Sequence, residues 1–456
     1  MTQAAQRAAK EDRYATYFED YNRLKVDAAP LWLHQLRKKA MDRFRDLGIP
    51  VTRELEFPQR EDWMFTDLAP VSRIPFSNPT SLDTSSITRD HLSAYTFGDE
   101  SWTELIFVDG HFSESLSQVR EAGTGITVQT LAQAIEEGSD TLQRHLGRYA
   151  DYEQTGLSAL NTAFLRDGVY VHAAEGKLAQ HPIHVIYVST DQGAPTVTHP
   201  RTLVVAEPGS AVTVIESYIG TSDREYFTNA VTELVTDRSA VIDHYRINRE
   251  GSSGYHTSIT QTEQLDDSNV STFNMCIGGR LTRNDTQAHL NGEQIVTRMN
   301  GLYLIGGDQH VDNHTVMDHA KPNCNSYEIY KGILDGRAHA VFNGKVFVRQ
   351  DAQETDAKQL NKNLLLSPNA SVDTKPQLEI HADQVKCTHG ATVGQLDEDQ
   401  IFYGITRGMS RDVACQLLTF GFAADLVRRL KVEAIREQLD ILFEETIKGL
   451  ATSGEK

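Results

Sequence analysis

The spacing of hydrophobic residues divides the chain into an N-terminal, a central and a C-terminal part. In residues 33–47, apolar side chains recur at steps of three and four residues, which predicts an amphipathic helix. Gly48 and Pro50 follow directly and are typical of a helix end. Residues 70–91 are rich in Pro, Ser and Thr and predict an irregular linker. We therefore expect residues 1–156 to form a mostly helical N-terminal region that contains this linker.

The central part, residues 157–394, has a different pattern. Short runs of Val, Ile, Thr and Tyr alternate with turns of Gly, Asp and Asn, as in "RTLVVAEPGSAVTVIES", and no amphipathic helix interrupts them. So many consecutive strands indicate a sandwich, a barrel, a propeller or a β-solenoid.

A repeated turn favours the solenoid among these folds. "PGSAV", "DRSAV" and "DDSNV", at residues 208–212, 237–241 and 266–270, each place a turn before a valine, at intervals of 29 residues. Stacked coils produce a fixed step of this kind, because each coil buries its inner face only against its neighbours. The interval drifts after residue 270, so the repeat favours a parallel β-helix over a sandwich but leaves the sandwich open.

Helical spacing returns in residues 395–456. Ser410 is a suitable N-cap, and a stripe of apolar residues with charged residues between them follows further on. A stripe of this kind usually packs against a core. Because these helices follow an elongated β domain, we also expect part of their surface to dock onto another subunit. The stripe consists of Val432, Ile435, Leu439, Leu442 and Ile447.

Composition narrows the possible partners and the compartment. The formal charge is −19, with 63 acidic against 44 basic residues, which disfavours nucleic acid and anionic membrane surfaces as partners. The four cysteines include no CxxC pair and do not resemble a disulfide framework. The sequence shows no apolar run long enough to span a bilayer and no secretory signal. We expect a cytoplasmic protein, or a stromal one if a chloroplast transit peptide has been removed.

The segment "VKCTHGATVG" contains the first candidate site. In a strand, residues two apart project to the same face, so Val385, Cys387, His389 and Ala391 should share one side. Thiolate sulfur and imidazole nitrogen on one face can bind iron, copper or zinc. Alternatively, Cys387 is a small buried hydrophobic residue at a strand end. If metal binds here, two ligands are too few, and the others must come from elsewhere in the chain or from another chain.

A second cluster lies in "GGDQHVDNHTVMDHAKPNC", where His310, His314, His319 and Cys324 are close in sequence. These residue types bind metals, but their spacing fits no standard site. Turns of a solenoid also accumulate Asp, Asn and His for local reasons. Both interpretations remain open for this cluster.

Most catalytic motifs are missing from the sequence. "NGKVF" at residues 343–347 lacks the framing glycine and the hydroxyl of a phosphate loop, so we expect no ATP hydrolysis by that route. There is no GxSxG, HExxH or GxGxxG motif in a suitable context. Paired carboxylates are abundant, which leaves an exported β-helix carbohydrate-active enzyme as an alternative function.

Longer motifs provide a more specific signal. The sequence of residues 374–427 contains "PQLEI", "CTHGAT", "FY", "RG" and "GF". It resembles the SufB/SufD family, whose members are the scaffold subunits of SUF iron–sulfur cluster assembly. Within that family it is most similar to SufD. Three further segments also resemble SufD sequences: "AVFNGKVFV" (340–348), "NKNLLLSPNA" (361–370) and "EDWMFTDL" (61–68). The resemblance therefore touches both ends and the middle of the chain.

The resemblance implies a fold and a set of partners. The fold is a right-handed parallel β-helix between N-terminal and C-terminal helical regions, which matches the three patterns above. The C-terminal helices of such subunits bind the ATPase SufC, and the β-helix pairs with SufB. A homodimer of the chain in isolation is a further possibility. The chain is then a non-catalytic scaffold, and ATP chemistry belongs to its partner.

The resemblance also implies a site. A transient iron–sulfur cluster, or iron and sulfide, forms at the SufB–SufD interface, and no tightly bound cofactor is expected in the isolated chain. The positions matching that site are Cys387 and His389, of which we favour His389 as a ligand. SufB carries an essential cysteine in the region matching residues 361–376, where this chain has none. The main sulfur-accepting thiol is therefore expected on the partner.

Overall fold

In the computed structural model, the structure describes residues 14, 18–19, 29–56, 59–79, 81–97, 100–222 and 224–453. The helices are α1 (Leu31–Leu47), α2 (Gln59–Asp62), α3 (Ala69–Arg73), α4 (Arg89–Leu92), α5 (Leu131–Glu136), α6 (Asp140–His145), α7 (Gly156–Ala163), α8 (Glu398–Thr406), α9 (Arg411–Val427) and α10 (Glu433–Ser453), with a 3₁₀ turn at Thr52–Glu54. Of these, the amphipathic helix expected at residues 33–47 is confirmed as α1.

The first strands are β1 (Thr103–Val108), β2 (His111–Phe112), β3 (Ile126–Thr130), β4 (Val169–Ala173), β5 (Ile183–Ser189), β6 (Thr196–Thr198), β7 (Arg201–Ala206), β8 (Ala211–Gly220), β9 (Tyr226–Thr236) and β10 (Val241–Arg249). The remaining strands are β11 (Gly254–Gln264), β12 (Asn269–Cys276), β13 (Leu281–Leu290), β14 (Val296–Ile305), β15 (His310–His319), β16 (Asn325–Leu334), β17 (His339–Val348), β18 (Thr355–Leu365), β19 (Ser371–Ile380) and β20 (Val385–Gly394).

From β8 onward, successive strands alternate between two sheets. The first sheet has the order β2-β1-β5-β8-β10-β12-β14-β16-β18-β20, and the second has the order β19-β17-β15-β13-β11-β9-β7-β4-β3. Each strand from β8 to β18 pairs in parallel with the strand two further along the chain. The result is a parallel β-solenoid of about 8 turns with helices at both ends of the chain. The predicted β-helix is therefore confirmed, and the sandwich is excluded.

The repeat seen in the sequence is close to the true register but not identical to it. Val241 pairs with Ala211 on one side and with Asn269 on the other, so the steps are 30 and 28 residues. One corner explains the difference. The connection from Gly220 to Tyr226 is longer than the equivalent connection in the next coil. The 29-residue interval therefore identifies the coils without giving their alignment.

Apolar layers cover both surfaces of each sheet in the middle of the solenoid. Between the sheets lie core residues such as Met317 and Phe342. The N-terminal segment packs Trp63 on the outer surface of the second sheet. The C-terminal helices pack on the outer surface of the first sheet through residues such as Leu426 and Ile435. Each fully buried side chain of this size contributes about 1.5–3 kcal/mol, so both helical regions are integral to the fold.

The two terminal regions meet the solenoid in different ways. Strand β1 pairs in parallel with β5 and extends the first sheet towards the N-terminus. The apolar stripe predicted for the last helix lies on α10, apart from Val432, which precedes it. Ile435 and Leu439 are buried, which confirms that the stripe is core.

Among the described residues, no helix combines the length and apolar character needed to cross a membrane.

The space between the sheets also holds buried polar side chains. Glu216 is fully buried and accepts hydrogen bonds from Thr202 at 2.5 Å and from Nε2 of His244 at 2.7 Å. Arg246 donates to the same carboxylate at 3.2 Å. Further along the solenoid, Glu328 has no such cation, and its Oε2 accepts from Gln359 at 2.7 Å. Burial therefore raises the pKa of Glu328 to about 7.

This carboxyl should make stability depend on pH. The native chain keeps a proton on Glu328 up to about pH 7, whereas the unfolded chain loses it near the ordinary pKa of 4.5. Stability should therefore fall by about 3 kcal/mol as the pH rises from 4.5 through 7. Glu328→Gln should remove that loss, so the variant should be more stable than the parent at pH 8. Urea unfolding at pH 5 and pH 8 measures it, with the exposed Glu136→Gln as control. An unchanged pH dependence in Glu328→Gln would contradict this assignment.

Candidate functional site

Within the described residues, no further coil lies beside the last coil of the solenoid. Strand β20 forms the edge of the first sheet and pairs with β18 alone, and β19 forms the edge of the second sheet and pairs with β17 alone. Their outer edges therefore present backbone N–H and C=O groups without sheet partners. Ile380 and Val393 are also exposed on this coil. An edge of this kind is suited to pairing with another chain.

Strand β20 carries both predicted ligands. Cys387 lies beside Ala357, and His389 lies beside Gln359, on the neighbouring strand β18. Val385 and Cys387 are partly buried and pack against the core between the sheets. By strand alternation, His389 lies on the same interior side. His389 is nevertheless exposed, because no further coil covers it. The extended backbone predicted for this segment is thus confirmed.

The environment of Cys387 favours the neutral thiol. Burial raises its pKa above the ordinary value, and the Asp356 carboxylate acts in the same direction, against a backbone hydrogen bond from Ala357. A thiol in this state needs a metal ion or an approaching cation to become a thiolate ligand. Within the part of the chain that the structure describes, no group of three or more His, Cys, Asp or Glu side chains converges to hold a metal ion. Cys387 and His389 therefore offer at most part of a ligand set.

The second predicted cluster does not form a single site. His310 and His314 lie on the outer surface of the second sheet, on β15. His319 is buried on the interior side, where its Nε2 contacts Oγ of Ser326 at 2.9 Å. The buried Cys324 donates to the Gly292 carbonyl at 3.2 Å. These residues are close in sequence, but strand alternation separates their side chains.

The outer-surface histidines have neighbours that sequence motifs do not indicate. His310 lies beside His339 of β17, and Asp373 of β19 contacts His339. Thr66, in the N-terminal segment, contacts both His310 and Asp312. The one available signal in the sequence is the interval from His310 to His339, which equals the 29-residue step of the turn repeat.

The C-terminal helices leave an apolar surface exposed. On α8, Phe402 and Tyr403 are 66% and 61% exposed. On α9, Val413 and Leu417 are about half exposed. Exposed aromatic and branched side chains that cluster on neighbouring helices are typical of interaction surfaces. We call these four residues the α8–α9 patch.

An open-ended parallel β-solenoid with a thiol and an imidazole on its last coil, together with an exposed apolar patch on its terminal helices, is typical of a protein that assembles with other chains. The family model described as "SUF system FeS cluster assembly, SufBD core domain" matches residues 187–422. A second model, "SufBD protein N-terminal region", matches residues 8–185. The chain therefore belongs to the SufBD family of SUF iron–sulfur cluster assembly proteins.

Individual relatives agree with this membership. An iron–sulfur cluster assembly SufBD family protein of Synechocystis sp. is 32% identical over 413 residues, which cover 88% of this chain and 88% of the relative. The iron–sulfur cluster assembly protein SufD of Escherichia coli is 29% identical over 390 residues, 84% of this chain and 86% of the relative. The chloroplastic protein ABCI7 of Arabidopsis thaliana is 27% identical over 409 residues, 87% of this chain and 84% of the relative.

The burial of the four cysteines predicts their reactivity. Cys276 and Cys324 are buried and burial raises the pKa of each to about 11, whereas Cys387 and Cys415 are partly exposed. The folded chain should therefore react quickly with a disulfide reagent such as DTNB at two thiols, and at four only after unfolding. Cys387→Ser and Cys415→Ser should each remove one fast equivalent, whereas Cys276→Ser, at a buried thiol, should remove none. Because the pKa of Cys387 is raised, its rate should still increase as the pH passes 9. Four fast thiols in the native chain would contradict the structure.

Proposed function

We propose that this chain is the SufD-like scaffold subunit of a SufB–SufC–SufD complex, and that an iron–sulfur cluster is assembled where its last coil meets SufB. The observation that carries the proposal is the position of His389, which is exposed on the edge strand β20, two residues after a partly buried thiol. The chain itself is proposed to be non-catalytic.

SufB is proposed to cover the last coil. Unpaired backbone groups of β19 and β20 offer hydrogen bonds to another chain, and Ile380 and Val393 offer apolar contact. A solenoid of the same family ends in a similar coil, so two such ends can continue each other. The same argument allows a second copy of this chain to occupy the coil when SufB is absent.

Iron and sulfide enter this scheme as cargo. Cys387 and His389 supply a sulfur and a nitrogen ligand, and iron accepts both donor types. The remaining ligands and the principal sulfur-accepting thiol are proposed to come from SufB, because residues 361–376 of this chain contain no cysteine. A cluster held in this way is transient, and the isolated chain is proposed to hold no tightly bound cofactor.

The driving force is proposed to come from SufC, bound at the α8–α9 patch. The sequence lacks a phosphate loop, so ATP binding has to be supplied by a partner. Helix α9 is tied to the solenoid where Lys331, on β16, donates to the Phe422 carbonyl at 2.7 Å and pairs with Asp425. Movement of a bound ATPase would therefore be transmitted to the first sheet, whose edge strand is β20.

We further propose a cytoplasmic location, or the chloroplast stroma if a transit peptide has been removed. The name of the Arabidopsis relative describes a chloroplastic protein.

The exported carbohydrate-active enzyme is not proposed as the function. The chain belongs to an iron–sulfur cluster assembly family, and no observation favours the enzyme.

Two variants should separate the two proposed surfaces. In complexes reconstituted anaerobically with iron and sulfide, His389→Ala should reduce cluster content at least about tenfold, because a ligand is lost. Leu417→Glu should instead weaken SufC binding by about 2 kcal/mol or more, because a charge enters an apolar contact. Cluster content is measured by absorption and iron analysis, and SufC binding by calorimetry.

Matched controls lie close to each site. Thr388→Ala changes the exposed neighbour that faces the other side of β20 and should leave cluster content unchanged. Val119→Glu alters an exposed apolar residue of the N-terminal region and should leave SufC binding unchanged. Normal cluster content in His389→Ala would refute the proposed site, and normal SufC binding in Leu417→Glu would refute the proposed docking surface.

A further inference from the structure

Two histidines face each other on the outer surface of the second sheet. His310 opens β15 and His339 opens β17, and the two residues are direct partners in the parallel register. Their Nδ1 atoms are 3.1 Å apart, and their rings are tilted by 44° with centroids 4.9 Å apart. At this distance the positions of the ring protons decide whether the contact is attractive.

The surroundings of His310 place its proton on Nε2. That nitrogen is 2.8 Å from Oγ1 of Thr66, and the same Oγ1 is 2.6 Å from Oδ2 of Asp312. Arg283 donates to Oδ2 of Asp312 at 2.9 Å, and Nε2 of His314 lies 3.1 Å from its Oδ1. Asp312 is therefore a carboxylate and only accepts, so the single hydroxyl proton of Thr66 goes to Asp312. Nε2 of His310 must then donate to Thr66, which leaves a lone pair on Nδ1.

The surroundings of His339 have the same effect. Its Nε2 is 2.8 Å from Oδ2 of Asp373, which pairs it with a carboxylate. Nε2 of His339 therefore donates, and Nδ1 of the neutral ring carries a lone pair. Two nitrogen lone pairs consequently face each other across 3.1 Å. Such a contact is repulsive unless a cation, either a proton or a metal ion, lies between them.

The dimensions fit a metal ion. Imidazole nitrogens bind first-row ions such as zinc at about 2.0–2.1 Å, so two ligands of one ion lie about 2.9 Å apart at a right angle and about 3.4 Å apart at the tetrahedral angle. The observed 3.1 Å falls between these values.

The groups on the far nitrogens also fit a metal site. Metal-binding histidines usually donate their other N–H to a carboxylate or another acceptor, which fixes the tautomer. Asp373 does this for His339, and the Thr66–Asp312 pair does it for His310. The side chain of His339 is 30% exposed, so solvent or a ligand from another molecule can reach the gap.

We propose that His310 and His339 form a two-histidine site for a divalent first-row transition ion, with Asp373 and Thr66 as positioning residues and the remaining coordination positions open to solvent. This site is independent of the proposed function, because it lies on the outer surface of the second sheet, whereas Cys387 and His389 lie on the interior side of the first sheet.

The test uses the untagged full chain carrying Cys387→Ser and His389→Ala, so that the last coil contributes no ligands. Co²⁺ is titrated and followed by its visible absorption, and Zn²⁺ is titrated by calorimetry. We expect one ion per chain in this background. His339→Gln should lose that binding, and Asp373→Asn should weaken it about 10–100-fold, the usual effect of losing a group that orients a ligand.

His381→Gln is the matched control, because His381 is an exposed histidine just after β19 and should not change binding. Since Asp373 is on the protein surface, its variant tests the site even if a histidine variant folds poorly. Equal affinity in the background chain and in His339→Gln would overturn the proposal. So would nitrogen NMR showing both Nε2 and Nδ1 of His339 protonated and unchanged by Co²⁺ or Zn²⁺, since a proton would then occupy the gap.

Discussion

Hydrogen bonding between successive coils is the constraint on which this structure depends. Each strand in the middle of the solenoid satisfies its backbone groups on both sides through parallel partners roughly 30 residues away in the chain. Stacking alone cannot satisfy the backbone groups of every coil, because the last coil always has one side without a neighbouring strand. At the N-terminal end, antiparallel strands β2 and β3 complete the two sheets. At the C-terminal end nothing in the described chain does so, and the last coil is left as an edge.

The helical regions explain why the ends and the outer surface are the places open to function. The interior between the sheets is filled by apolar residues and by satisfied polar groups such as Glu216. The N-terminal segment and the C-terminal helices each cover one outer surface. Side chains that can bind or react therefore remain accessible to ligands in two places. One is the last coil, and the other is where the N-terminal segment and the C-terminal helices leave the outer surfaces uncovered. Cys387 and His389 belong to the first group, and His339 belongs to the second.

The fold could be predicted from the sequence to a large extent, for a physical reason. Strands buried on both faces need β-branched and aromatic residues throughout, so the central region has a clear pattern, and the stripe on α10 is equally clear. The register could not be predicted, because it depends on connection lengths such as that between Gly220 and Tyr226. Alternation in β20 correctly placed Cys387 towards the core.

Sites that depend on contacts between distant segments could not be predicted from the sequence. His310 and His339 meet because neighbouring coils align, and Thr66 contacts His310 from a segment more than 240 positions earlier. The cluster of His310, His314, His319 and Cys324 shows the opposite case, because strand alternation separates side chains that are near in sequence. Family resemblance, carried by long linked motifs, is the reason why the last coil is proposed as the site, because a CxH pair alone is too unspecific.

The most direct measurement of the central claim is hydrogen–deuterium exchange at the amides of Ser371–Ile380 and Val385–Gly394, with and without SufB. If the open edge is where the partner binds, the amides of these strands that face away from β17 and β18 exchange quickly in the chain alone. They become strongly protected in the complex, while the central strands do not change. Protection confined to other parts of the chain, with the last coil exchanging as before, would contradict the account.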